Sequence, residues 1–294
     1  MLHSLDRIAV SGSMETFSQD IQDALVKIDA EKAGILPPFL TGPEMESMLE
    51  AWHRVMNHDE VEIDPKNPRF VIHPVIYEQT EFVRLATHPV VQEAVRRVIG
   101  DFKLVGWAMV ATPKNATKPT PFNEVKFHVD HIVYSDVPVE DARDTFVCVW
   151  VNFEKQSIEN GPFTVAVGTH KWNIGMDFFQ KRKGLTLQDF GGAEKITVFN
   201  AGPAGQTAVY SGKTWHAPTG NCSDVVRKGL NMNFVPASPL DTLKRNPFDL
   251  CALPKEAYSS LETKIEIQDY IVAHDPILAV KGDEYRKTLM THKS

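Results

Sequence analysis

The chain has 294 residues, of which 43% are hydrophobic and 23% charged, and its formal net charge is −7. That length holds one large domain or two small ones, and the apolar fraction is ample for a packed core, so wholesale disorder is excluded. The acidic balance, with no Lys/Arg run, argues against a nucleic-acid binder, and no window approaches the roughly 20 apolar residues of a membrane span. Cys148, Cys222 and Cys251 are far apart and form no CxxC pair, which fits a reducing compartment rather than a zinc ribbon or redox dithiol. The first twenty residues lack a long apolar stretch, so no secretory signal is read there and the expected address is the cytoplasm.

Residues 15–32 carry Phe17, Ile21, Ala24, Leu25 and Ile28 at helical spacing. Ile35, Leu36, Phe39 and Leu40 predict a buried, strand-like segment around two prolines. Thr41 offers an N-cap, Pro43 suits a first turn and Glu44 lies near the positive end of the dipole, which predicts a helix to about Asn57. His88 to Gly100 reads as another helix, closed by its glycine. Beyond Gly100 the period shortens. The segments 102–112, 145–153, 194–202, 206–212 and 228–237 are rich in Val, Phe and Trp, are bounded by Gly, Pro or Asn, and read as strands of a sandwich or barrel. The expectation is one domain, mainly β with flanking helices. A helical part covers about 15–100, the β core about 101–237 and a helical tail about 238–294.

The run FHVDHIVYSD, residues 127–136, sets His128 and Asp130 two apart in an apolar, β-leaning stretch. On a strand these two point to one face, while Phe127, Val129 and His131 point to the other. One imidazole and one carboxylate then converge, and a third ligand has to come from elsewhere. His216, in YSGKTWHAPTGN, is best placed, since it follows a strand-like run and precedes a turn. Two histidines and one carboxylate on one face of an octahedral ion form the facial triad of non-haem Fe(II) oxygenases. Such a set holds Fe(II), leaves it net positive, and keeps three positions open for a chelating cosubstrate and O2.

Arg227, eleven residues after His216, lies in a strand-like run that a hairpin-like return would bring towards the pocket. Its planar fork suits a carboxylate bidentately, and 2-oxoglutarate has such a distal carboxylate. The competing accounts are a solvated strand edge for His128 and Asp130, and a surface residue or salt-bridge partner for Arg227.

Three stretches together resemble the phytanoyl-CoA dioxygenase superfamily of Fe(II)/2-oxoglutarate oxygenases: HxD at 128–130, ENGPFTVAVGTHKW at 159–172, and SGKTWHAPTGN…R at 211–227. GILPPFLTGPEMESML, residues 34–49, resembles that superfamily's N-terminal strand and helix, so the likeness spans roughly 33–237. The resemblance implies a double-stranded β-helix, or cupin-like jelly roll, with the ENGP…GTHKW stretch as a loop between core strands. It implies His128, Asp130 and His216 as catalytic iron ligands and Arg227 as the 2-oxoglutarate anchor. Fe(II) with 2-oxoglutarate and O2 as cosubstrates follow, with a homodimer as the implied assembly. Val125 stands where many relatives have Gln, Gly205-Gln206 where they have Gly-Asp, and Val167 where they have Pro. Size and spacing lean towards the fungal natural-product branch, which oxidises terpenoids and alkaloids.

Other residues receive plainer readings. His131 turns away from the metal and would replace His128 only through a bulge. His170 reads as a structural loop histidine, Asn221 as shaping the turn after His216, and Arg69 as an exposed arginine. Trp107, Trp150, Trp172 and Trp215 read as core or pocket wall, Trp215 being the best candidate for pocket lining. The stretches 112–122 and 178–194 are expected to wall the pocket. The leading functional expectation is oxidation of an unactivated C–H bond of an apolar small molecule, through hydroxylation, desaturation, rearrangement or endoperoxide formation. The competitors are a non-catalytic jelly-roll binding protein and a non-redox hydrolase or isomerase, since Zn²⁺ also accepts His₂-carboxylate.

Overall fold

Helix α1, Gln19–Glu31, buries Ile21, Ala24, Leu25 and Ile28, the i, i+3, i+4, i+7 stripe of an amphipathic helix. It stops at Lys32, whose φ of 50° is left-handed. Strand β1, Ala33–Leu36, follows at once. Phe39 and Leu40, expected in the same extended segment, fall beyond the strand. Pro37 and Pro38 lack the amide donors that a ladder needs. Helix α2, Gly42–Met56, opens with a capping box: the Thr41 amide donates to the Glu44 carboxylate at 2.7 Å, and the Glu44 amide donates to the Thr41 hydroxyl at 3.4 Å. Helix α3, Thr80–Ala86, has no counterpart in the sequence reading, because seven residues show too little periodicity. In helix α4, Pro89–Ile99, the His88 ring accepts from the Val90 amide and Gly100 closes the end.

This computed structural model describes residues 17–59, 61, 70–71, 76, 79–130, 147–171, 185–186, 188, 198–199 and 201–236. The expected tail, 238–294, lies outside them.

The remaining strands are β2 (Phe70–Val71), β3 (Phe102–Thr112), β4 (Val147–Asn152), β5 (Phe163–Val165), β6 (Val198–Phe199), β7 (Thr207–Ser211), β8 (His216–Pro218) and β9 (Arg227–Pro236). A six-stranded sheet runs β1-β7-β4-β9-β3-β2 and a three-stranded sheet β6-β5-β8. Every pairing is antiparallel. The sheets face each other, since Trp150 of β4 stacks on Phe163 of β5 with centroids 5.4 Å apart. The antiparallel β core with flanking helices is the class that the sequence predicts. Two details differ. β5 forms inside the ENGP…GTHKW stretch that the resemblance implied to be a loop. And β8 and β9 belong to different sheets, so the chain between His216 and Arg227 crosses from one layer to the other and is no hairpin.

By alternation, Cys148, Trp150 and Asn152 share the face towards the small sheet, and Val147, Val149 and Val151 turn the other way. α4 packs across the large sheet on that outer side, against β3, β4, β7 and β9. Leu25, Ile28, Val91, Val95, Val149 and Val209 are completely buried in the main core. Each such side chain contributes about 1.5–3 kcal/mol relative to exposure. The result is a rigid outer wall that leaves the inner face for polar side chains.

Candidate metal centre

The segment carrying His128 is not a named strand. Phe127 bridges Leu185 and His128 bridges His216, both antiparallel and isolated. The His128 and His216 amides each donate to the other's carbonyl at 2.9 Å. β8 is paired on its other side with β5, where Val165 lies opposite His216. His216 is thus held between two extended neighbours. Despite the short pairing, side chains alternate as the sequence predicts. Phe127 and Val129 are buried, while His128 is exposed and Asp130 half-buried. Phe127 and Val129 join Val125, Ala166, Trp215 and Ala217 in a separate apolar cluster. The residues on either side of each histidine therefore back the polar face with hydrocarbon. Trp215, expected at the pocket wall, sits in this backing layer.

His128, Asp130 and His216 each offer one ligand atom, and these atoms lie within 4.8 Å of one another. Asp130 bridges the pair: its Oδ2 is 3.2 Å from His216 Nε2 and its Oδ1 is 3.6 Å from His128 Nε2. Ligands about 2.1 Å from a divalent ion and at right angles to each other stand about 3.0 Å apart. The two contacts to Asp130 approach that spacing and all three ligand atoms lie within 4.8 Å, so the donor set is of the kind that one octahedral face takes. His216 Nδ1 lies 2.9 Å from the Thr214 carbonyl. A carbonyl only accepts, so Nδ1 carries a proton, and Nε2, which faces Asp130, becomes the ligating nitrogen once an ion replaces the proton of that contact. Burial pushes the Asp130 carboxyl up, but the pull of His216, its hydrogen bond and the weaker pull of His128 outweigh it. The net shift is downward and favours the ionised, ligating form. The three side chains are graded in exposure, with His216 at 3%, Asp130 at 26% and His128 at 50%, so the face opens on the His128 side.

Arg227 opens β9 directly opposite Thr112 of β3. Although charged, it is 2% exposed. Its Nη2 donates to the Thr112 hydroxyl at 3.0 Å, and its guanidinium carbon lies 5.7 Å from the Trp150 ring centroid. An arginine this buried holds a specific anion or costs stability. Thr112 and Trp150 therefore belong to its setting, and their roles were not legible in sequence because both depend on cross-strand register.

Around His216 stand Tyr210 at 4.6 Å and Phe163 at 5.4 Å between ring centroids. Neither was singled out from sequence, and only the pairing of β4, β5, β7 and β8 brings them there. Thr169 ties the GTHKW turn to the segment that carries His216. The Thr169 hydroxyl donates to the Ala166 carbonyl at 2.6 Å and accepts from the Trp215 amide at 3.0 Å. Val125 is buried in the backing cluster. His131, Arg69, Trp172 and most of 178–194 lie outside the described residues. A surface cavity of about 590 Å³ is lined by Lys114 to Pro121 and Glu124, and neither the three candidate ligands nor Arg227 line it. Among the described residues, no helix is long and apolar enough to cross a membrane.

The profile of the family described as "Phytanoyl-CoA dioxygenase (PhyH)" matches residues 13–229. A search of the curated proteins found no match. Among solved structures, the chain is similar to the epimerase SnoN in complex with Fe³⁺, alpha ketoglutarate and nogalamycin RO. They share 16% identity and a TM-score of 0.56, over 75% of this chain and 86% of that one. The non-heme alpha ketoglutarate dependent carbocyclase SnoK from nogalamycin biosynthesis gives 16% and 0.56 over 76% and 86%. HygX from Streptomyces hygroscopicus, with nickel, 2-oxoglutarate and hygromycin B bound, gives 17% and 0.52 over 76% and 88%. At these identities the likeness is one of fold. It lends no support to the fungal branch, as the one organism named is a bacterium.

Proposed function

The chain belongs to the phytanoyl-CoA dioxygenase family of Fe(II)/2-oxoglutarate-dependent dioxygenases, and from that premise we propose that His128, Asp130 and His216 hold the iron, Arg227 anchors 2-oxoglutarate, and the substrate is an apolar secondary metabolite oxidised at an unactivated C–H bond. The observation that carries this reading is the cluster of three ligand atoms within 4.8 Å of one another. The fold neighbours SnoN and SnoK from nogalamycin biosynthesis favour a secondary metabolite as substrate, and we infer from the continuous run of matched motifs that the chain works as one domain.

Iron with 2-oxoglutarate and O2 supplies the oxidising power when bound. The chain's own residues do the rest. His216, fixed by the Thr214 carbonyl, presents Nε2 without a tautomer change. Asp130 brings the one negative charge of the ligand set. Arg227, buried on Trp150 and braced by Thr112, would hold the distal carboxylate of the cosubstrate through charge-assisted hydrogen bonds. Phe163 and Tyr210 beside His216 offer apolar surface and help exclude water. The test is a screen of lipophilic metabolites for O2 and 2-oxoglutarate consumption, read by mass spectrometry for a gain of oxygen or loss of hydrogen. Substrate-stimulated consumption is the expected result. An iron-loaded protein that never consumes 2-oxoglutarate would overturn the proposal in favour of a binding protein.

A further inference from the structure

We propose that Asn221 is a positioning residue, setting the guanidinium of Arg227 through the two ends of backbone that frame it; this rests on the anchor role given to Arg227 above. Asn221 is completely buried in the chain that crosses between the two sheets. Its side-chain amide donates twice, to the Thr112 carbonyl at 2.9 Å and to the Val225 carbonyl at 2.7 Å. Thr112 is the cross-strand partner of Arg227 and supplies the hydroxyl that accepts from its Nη2. Val225 stands two residues before Arg227. One carboxamide therefore ties the strand end beside the guanidinium to the segment that delivers it.

The rest of Asn221 is equally committed. Its Oδ1 accepts from the Ser223 amide at 2.9 Å and the Ser223 hydroxyl at 2.8 Å. Its own amide donates to Asn115 Oδ1 at 2.8 Å. Its carbonyl accepts from the Asn115 and Ala116 amides at 2.9 and 3.0 Å. The loop after β3 and the loop before β9 are clasped around this one side chain. Thr120 adds a contact, its hydroxyl accepting from the Gly220 amide at 3.0 Å. By contrast the Lys114–Asp224 ion pair on the same loops, at 2.8 Å, is exposed and does not touch the frame of Arg227. The arrangement gives the eleven-residue interval a physical reason: the crossing must span two sheets and still deliver Arg227 in register with Thr112.

The experiment titrates 2-oxoglutarate into Fe(II)-loaded protein without O2, following the iron–cosubstrate absorption band, and measures bound iron separately. Asn221→Ala is expected to raise the 2-oxoglutarate dissociation constant about tenfold, the scale of one to two lost hydrogen bonds, with iron stoichiometry unchanged. Asn221→Ser, which keeps one donor, should fall between it and wild type. Lys114→Ala should bind as wild type does. A measurement that needs no variant is amide hydrogen exchange on the wild-type iron form, where added 2-oxoglutarate should slow exchange across residues 219–226. Unchanged affinity in Asn221→Ala, an equal loss in Lys114→Ala, or no protection of 219–226 overturns the inference. Arg227→Ala separates the two levels. If it leaves 2-oxoglutarate affinity intact, the anchor assignment itself fails; if it weakens binding while Asn221→Ala does not, only the positioning role fails.

Discussion

Gly161 sits where the ENGP turn meets the chain that carries His216 to Arg227, and Gly161→Ala tests how tightly that junction is built. Its φ is 73°, in the left-handed region. A Cβ there would lie 2.6 Å from the Gly220 carbon, the Gly220 oxygen and the Thr219 oxygen, all of them backbone. Carbon contacts settle near 3.5–4.0 Å, so one chain must move by about 1 Å. The neighbouring bonds resist that movement. Glu159 O accepts from the Cys222 and Ser223 amides at 2.7 and 3.2 Å, and Pro162 O accepts from the Thr219 hydroxyl at 2.7 Å. The left-handed conformation costs an alanine about 1–2 kcal/mol, and overpacking adds about 1–3 kcal/mol. The total, about 2–5 kcal/mol, corresponds to a fall in Tm of about 4–20 °C at the sensitivity of chains somewhat shorter than this one. Gly42→Ala is the control: a Cβ there meets nothing within 4 Å, and the site is the first turn of α2. It should leave Tm unchanged or raise it slightly. Thermal unfolding by circular dichroism compares the two. A Gly161→Ala Tm within about 2 °C of wild type would refute the steric reasoning.

His128→Ala and His216→Ala are each expected to lose bound iron and 2-oxoglutarate consumption together; retention of full iron by His216→Ala would sink the ligand assignment. Arg227→Lys keeps the charge and loses the fork, and should weaken 2-oxoglutarate about 10- to 100-fold, one charge-assisted bond, in an anaerobic titration. Glu44 is held below the usual carboxylate range first by the Thr41 amide and then by its hydroxyl, against a smaller penalty from burial. A lowered folded pKa means stability present above the unfolded pKa and lost as pH falls through the folded one. The Tm gap between wild type and Glu44→Ala should therefore be widest at neutral pH and close in acid, and a gap independent of pH would contradict the capping-box account. Burial pushes the Cys148 thiol far up, well beyond the smaller lowering by Tyr210. Native protein should take an alkylating reagent at the partly exposed Cys222 and spare Cys148 until unfolded, which peptide mapping reads directly. Native labelling of Cys148 would contradict it.

Local rules carried the sequence reading wherever one element decides its own form. The α1 stripe, the Thr41 capping box and the bounds of β3 needed only neighbours within a turn or a strand. Alternation over 127–130 separated His128 and Asp130 from Phe127 and Val129, even though the structure gives that segment only isolated bridges. What failed was short or non-local. α3 and β5 are too brief to show a period. The hairpin expected before Arg227 was wrong because sheet membership of β8 and β9 is fixed by their partners, β5 on one side and β3 with β4 on the other. Thr112, Tyr210 and Phe163 carry no local signal at all.

The same division explains why the site sits where it does. Within the triad, the two residues nearest in sequence are placed by strand alternation, and the third by a pair of backbone bonds to His128. Apolar neighbours on both segments share one cluster, Phe127 and Val129 with Trp215 and Ala217. Moving the 127–130 segment by one residue would bury His128 and expose Phe127, and moving the other would swing Trp215 out of the cluster. That penalty, of about 1.5–3 kcal/mol per displaced apolar side chain before any metal binds, makes the hydrophobic layer the element that specifies ligand register. The three candidate ligand atoms are thereby held within 4.8 Å of one another by the fold itself.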